Sequence, residues 1–213
     1  MKPKVASILL AVILPGLARA QEAPKMEFSI DGSYVHYQAI DFESPKQQFG
    51  RYWDLGGGGG AFVRNFGSKI GIRADLQGYT SNTKTVSIPS GSLLLPQGGS
   101  VNASGNLFTY MGGLQVGQRS GRWRPYAVGL AGGAHSNVYK NLFTGLNLTG
   151  SKAPDNNAFA ADAGLGLDVA LTPRVDFRPF EMSYLYTRFQ GTGLNFTNNQ
   201  NNWRYLGGIN INI

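Results

Sequence analysis

The chain of 213 residues contains 30 glycines, 10 tyrosines and 12 phenylalanines, and no cysteine. The missing thiols exclude a disulfide framework and a thiolate metal site. A formal charge of +7 is carried by basic residues scattered along the sequence, not by the clustered stripe that nucleic-acid binding requires.

Met1-Lys-Pro-Lys, the apolar run Val5 to Leu17 and Ala18-Arg19-Ala20 have the order of a secretory signal peptide: positive, hydrophobic, small-x-small. The run is shorter than the roughly 20 residues a spanning helix needs. A signal peptide over 1–20 and a single barrel domain over 21–213 are therefore expected. Loss of Lys2, Lys4 and Arg19 leaves 16 basic against 12 acidic residues, a charge of +4.

Beyond residue 20, about eight stretches show period-two alternation, joined in turn by short and long connections. The short ones are Phe66-Gly-Ser-Lys69, Arg119-Ser-Gly-Arg122 and Thr172-Pro-Arg174. The long ones, 39–51, 81–105, 137–156 and 190–201, are rich in Asn, Gly, Ser, Thr and Gln. Tight turns alternating with long loops are the periplasmic/extracellular asymmetry of an outer-membrane barrel. The expectation is an all-β, eight-stranded, antiparallel, up-and-down transmembrane barrel.

The first strand places Phe28, Ile30 and Tyr34 on one face and Ser29, Asp31 and Ser33 on the other. The second contains Gly56 to Gly60, which lacks a following Gly-Lys-Ser/Thr and so does not read as a phosphate loop. Arg64, in the same strand, is assigned to the lumen. In the third, Ile70, Ile72, Ala74 and Leu76 alternate with Arg73, Asp75 and Gln77; in the fourth, Phe108, Tyr110, Leu114 and Val116 alternate with Thr109, Met111 and Gln115. The fifth is expected to point Tyr126, Val128 and Leu130 outward. The sixth points Ala161, Ala163, Leu165, Leu167 and Val169 outward and Asp162 and Asp168 inward.

The seventh strand breaks phase. Arg178 and Glu181 are three residues apart and cannot share a face of a regular strand, but Pro179 lies between them. Proline is tolerated at bulges, and one extra residue there brings Asp176, Arg178, Glu181, Ser183 and Thr187 to the inside. The eighth strand alternates Tyr205, Gly207, Ile209, Ile211 and Ile213 with Arg204, Leu206, Gly208, Asn210 and Asn212. Aromatics mark two girdles: Tyr34, Trp53, Phe108, Tyr110, Phe159, Tyr184, Tyr186, Trp203 and Tyr205 toward the long loops, and Phe28, Tyr126 and Phe177 toward the short turns.

Alternation alone fits either a lipid-embedded barrel or a soluble, lipocalin-like one of opposite phase. The carboxy-terminal pattern and the positions of the aromatics favour the first. Gly208, Ile211 and Ile213 resemble the carboxy-terminal signal read by the outer-membrane barrel assembly machinery, although that signal usually ends in an aromatic and has a polar residue at the position of Leu206. Over essentially the whole mature chain the pattern resembles the small OmpA/OmpX-like outer-membrane β-barrel family, with Arg124-Pro-Tyr-Ala-Val-Gly-Leu-Ala-Gly-Gly resembling its fifth strand. The resemblance implies a monomer in the outer membrane of a Gram-negative-type bacterium, surrounded by outer-membrane lipid; contact with anionic lipopolysaccharide is expected of the basic residues in the long loops.

The inward set of Asp31, Arg64, Arg73, Asp75, Asp162, Asp168, Arg178, Glu181 and Arg204 carries both signs. It is expected to act as a charge plug in a lumen just wide enough for side chains. No cofactor, metal, nucleic-acid partner or enzymatic activity is expected. Three alternatives stand beside a structural or surface-binding role: a narrow pore, an adhesin and a lipid-modifying enzyme. The lipid A deacylase family carries His-x-Ser-Asn on a strand; His135-Ser136-Asn137 lacks the intervening residue, which puts the two side chains on opposite faces. His36 has no evident acid partner. The loop residues Lys46, Arg51, Lys84, Lys140 and Lys152, and the apolar tracts Leu93 to Leu95 and Leu142-Phe143, are candidates for surface binding.

Overall fold

The computed structural model describes residues 24–38, 52–88, 90, 97–137, 157–189 and 199–213. Their strands are β1 (Met26–Gln38), β2 (Tyr52–Phe66), β3 (Ile70–Thr80), β4 (Lys84–Ile88), β5 (Gly99–Ala103), β6 (Asn106–Gly117), β7 (Trp123–Ser136), β8 (Asn157–Ala170), β9 (Val175–Phe189) and β10 (Asn199–Asn212). All but β4 and β5 close into an eight-stranded antiparallel barrel in the order β1-β10-β9-β8-β7-β6-β3-β2. The seam is sealed by ten residue pairs, from Glu27 opposite Asn212 to His36 opposite Trp203. Met26 N–H to Ile213 O (3.1 Å) and Ile213 N–H to Met26 O (2.9 Å) extend the seam to the last residue. A closed sheet leaves no unpaired edge in the wall, the condition for a β-structure in lipid.

Alternation fixes what each face meets. Along β3, Ile70, Ile72, Ala74 and Leu76 are exposed while Gly71, Arg73, Asp75 and Gln77 are buried. The exposed belt continues through Phe28, Ile30, Phe62, Leu114, Leu165, Phe180, Ile209 and Ile211. A continuous apolar belt outside a charged interior is inverted relative to a water-soluble barrel and matches a hydrocarbon surround. At the short-turn end, Gly67 (φ +81°) and Gly121 (φ +87°) occupy the left-handed region that lets two-strand connections reverse tightly.

Pro179 coincides with a β-bulge. Opposite it, β10 steps from Leu206 (paired with Glu181) to Gly208 (paired with Arg178), two residues against three; on the other side, β8 steps from Leu167 to Val169 against Phe180 and Phe177. The extra residue brings Arg178 and Glu181 both inside, each at most 1 % exposed, with Phe180 and Met182 outside.

Three expectations are corrected. In β7, Tyr126, Val128 and Leu130 are buried at 4–5 % exposure and line the lumen; the outer face carries Pro125, Ala127, Gly129 and Ala131. The cause is Arg124, two residues before Tyr126 on the same face, whose Nη1 donates to Asp176 Oδ2 at 2.6 Å. Gly166, opposite Tyr126, has no Cβ, and any Cβ there would collide with the tyrosine ring. Tyr126 therefore belongs to no girdle. Arg64 is exposed on the outer wall, its guanidinium 5.9 Å from the Phe66 ring centroid; the inward positions of this part of β2 are Ala61 and Val63. Finally, the segment 81–105 is no plain loop, since β4 and β5 pair from Lys84–Ala103 to Ile88–Gly99, and β10 begins at Asn199, inside the expected loop 190–201.

Candidate functional site: the lumen and its rims

The lumen contains side chains in three tiers. Nearest the short turns, Arg119 Nη1 bonds Glu27 Oε2 at 3.1 Å and Asn65 donates to the other oxygen of Glu27 at 2.7 Å; alongside, Arg124 holds Asp176. Of these four charged residues, the bulge expected at Pro179 places Asp176 inside; Glu27, Arg119 and Arg124 are not in the sequence-derived set. Their signal was phase: Glu27 continues Ser29 and Asp31, and Arg124 lies opposite Asp168 across β7–β8.

The central tier is built around Glu181. Its Oε2 accepts from Arg73 Nη1 at 2.6 Å and from the Tyr126 hydroxyl at 2.5 Å, with Arg178 Nη1 at 3.6 Å; its Oε1 lies 3.5 Å from Arg204 Nη2. Arg73 also bonds Asp75 at 2.7 Å. Arg178 bridges Asp168 at 2.9 Å and Asp31 at 3.2 Å, and its guanidinium stands 5.3 Å from the Tyr126 ring centroid. Arg204 reaches Asp75 at 3.0 Å, Ser183 at 3.0 Å and the Asp162 carboxylate. Asp31, Arg73, Asp75, Asp162, Asp168, Arg178, Glu181 and Arg204 thus meet in one connected network, each at most 3 % exposed; Arg64 is not part of it. Buried charges tolerate such a setting only when paired and hydrogen-bonded.

Toward the long loops the filling is uncharged and mixed: Gln77, Thr109, Ser136, Thr187, Gln200 and Asn202 are buried there beside apolar side chains, with Thr187 donating to Gln200 at 2.9 Å. Val35, Tyr37, Leu55, Leu107 and Leu185 are at most 1 % exposed, with Ala134, Ala160 and Phe189 packed at the same end. A hydrated ion would meet the paired guanidiniums from one side and this packed, uncharged tier from the other.

On the outer rim, aromatic rings sit on the lipid face with their hydroxyls tied to neighbouring strands. Tyr34 donates to Asp54 at 2.6 Å, Tyr186 to Asn199 at 2.7 Å, and Tyr184 to Asn201. Tyr184 and Trp203 pack edge to face at 5.7 Å. His36 does have an acid partner: its Nδ1 is 2.9 Å from Asp54 Oδ1, across the β1–β2 register. His135 is exposed and within 2.8 Å of Asn157, whereas Ser136 is fully buried on the opposite face. A base and its hydroxyl so separated cannot exchange a proton.

At the carboxyl end, Gly208 approaches the Ile30 carbonyl too closely for any Cβ, and Ile211 and Ile213 lie exposed on the outer face. Residues 1–20, the side chains of Trp53 and Lys84, and Lys46, Arg51, Lys140, Lys152, Leu93 to Leu95, Leu142 and Phe143 lie outside the described residues.

No family model matches the chain, and no curated protein sequence matches it. Solved structures do. OprG of Pseudomonas aeruginosa, an outer membrane protein, superimposes with a TM-score of 0.54 at 17% identity over 92% of this chain and 99% of that one. Neisserial surface protein A gives a TM-score of 0.58 at 13% identity over 90% and 99%. This is the fold of the small outer-membrane β-barrels. Identities this low carry the architecture; the contents of the lumen and rims are this chain's own.

Proposed function

We propose that the chain is a monomeric outer-membrane barrel with a closed lumen, whose work is done at the outer surface, where its rim and long loops bind lipopolysaccharide or other surface ligands. The observation that carries this reading is the two-part filling of the lumen, a guanidinium–carboxylate network beneath a packed tier of uncharged side chains. It argues against a solute path and leaves the outer end as the surface through which the barrel can act. The outer belt and the fold support residence in an outer membrane. The opposed faces of His135 and Ser136 support a non-enzymatic role.

The test is binding by the folded, purified barrel to immobilised lipopolysaccharide and to candidate surface ligands. Saturable binding that is lost when the segment 138–156 is shortened supports the proposal. A change in the mass of lipid A on expression contradicts it and points to an enzyme.

A further inference from the structure

The basic residues that are scattered in sequence are collected in space. Apart from the five arginines in the lumen, five cations, Lys25, Arg64, Lys69, Arg122 and Arg174, are exposed at the short-turn end of the barrel. They stand around it: ahead of β1, on β2, and in the β2–β3, β6–β7 and β8–β9 turns. Among the described residues no Asp or Glu side chain is exposed at that end. Glu27 is 2 % exposed and bonded to Arg119, and the exposed Asp54 belongs to the opposite rim. None of the five forms an ion pair among the described residues.

Each cation also has an exposed apolar neighbour. Lys25 precedes Met26, Lys69 precedes Ile70, Arg122 precedes Trp123 (59 % exposed), Arg64 lies against Phe66, and Arg174 shares a turn with Leu171 (62 % exposed). A ring of cations, each beside an apolar or aromatic side chain that enters hydrocarbon, suits a membrane interface; long basic side chains lay their stems on the apolar surface and raise their charge to the phosphates. The short-turn end of such a barrel faces the periplasm.

We propose that this collar binds the phosphate head groups of anionic phospholipid in the periplasmic leaflet, gathering those lipids around the barrel and fixing its depth. The inference rests on the membrane-barrel reading above.

The experiment is native mass spectrometry of the folded full-length barrel released from micelles holding equal amounts of phosphatidylglycerol and phosphatidylcholine. The wild-type barrel is expected to retain phosphatidylglycerol several-fold over phosphatidylcholine. The triple variant Lys69→Gln, Arg122→Gln, Arg174→Gln is expected to lose that preference, and Arg188→Gln, an exposed cation at the opposite rim, to keep it. Excess inorganic phosphate should not displace the lipid; displacement would assign the collar to free phosphate and overturn the proposal. Equal retention of the two lipids by the wild type also overturns it, whether or not the triple variant folds. Heat-modifiable gel mobility and insertion into phosphatidylcholine vesicles are read in parallel: their failure contradicts the membrane-barrel reading, whereas their success without a lipid preference contradicts the collar alone.

Discussion

The hydroxyl of Tyr126 donates to Glu181 Oε2 at 2.5 Å across the lumen. Through this bond a residue of β7 is held by the network of β3, β9 and β10, and the tyrosine ring becomes a face against which Arg178 rests. Replacing Tyr126 by Phe keeps the ring and removes the bond. A hydrogen bond to a charged group contributes about 1.5–3 kcal/mol, so Tyr126→Phe should lower the urea midpoint of the folded barrel in bilayers by a corresponding amount. An unchanged midpoint would place the hydroxyl outside the network.

Glu181 faces Arg73, Arg178 and Arg204 together. Glu181→Gln leaves three guanidiniums with less compensating charge. Removing one member of a buried pair costs about 3–5 kcal/mol, and a loss of that order is expected. The adjacent Met182 faces outward, and Met182→Leu conserves volume on the lipid face, so it should cost less than about 1.5 kcal/mol. Equal unfolding midpoints for the two variants would contradict the plug.

The Pro179 bulge is legible in the sequence alone, because two charges at odd spacing with a proline between them leave one economical solution. The fifth barrel strand could not be read by apolarity. Tyr126, Val128 and Leu130 look like a lipid face, and only Arg124, on the same face, reveals that they are inside. Arg124 decides the phase because its guanidinium finds Asp176 at 2.6 Å inside the lumen, whereas apolar side chains pack acceptably on either side. Arg64, near the same short-turn end, forms no ion pair among the described residues and lies on the outer wall against Phe66. The His36–Asp54 pair depends on the β1–β2 register, which no local pattern specifies. The β4–β5 hairpin has strands of five residues each, short enough to pass for loop.

Deleting Pro179 tests whether the bulge serves only to keep phase. Without the extra residue β9 becomes regular, Arg178 and Glu181 stand two apart, and both still point inward with Phe180 between them on the lipid face. The expected result is a heat-modifiable band in outer-membrane fractions for the deletion variant as for Pro179→Ala. Loss of the band on deletion alone would show that the bulge does more than set the phase.

Removing Ile211 to Ile213 strips the last pairs from the β1–β10 seam, including both Met26–Ile213 hydrogen bonds. Folded yield in the outer membrane should fall sharply. Yield equal to that of the intact chain would mean that closure and assembly do not depend on this end.

The closed lumen is tested most directly by conductance. With the folded barrel in a planar lipid bilayer, the tiers of Arg73, Arg178 and Arg204 with their carboxylates, capped by Leu55, Leu107 and Leu185, predict a flat current at moderate voltage. Reproducible current steps of one size from the wild-type barrel would contradict it.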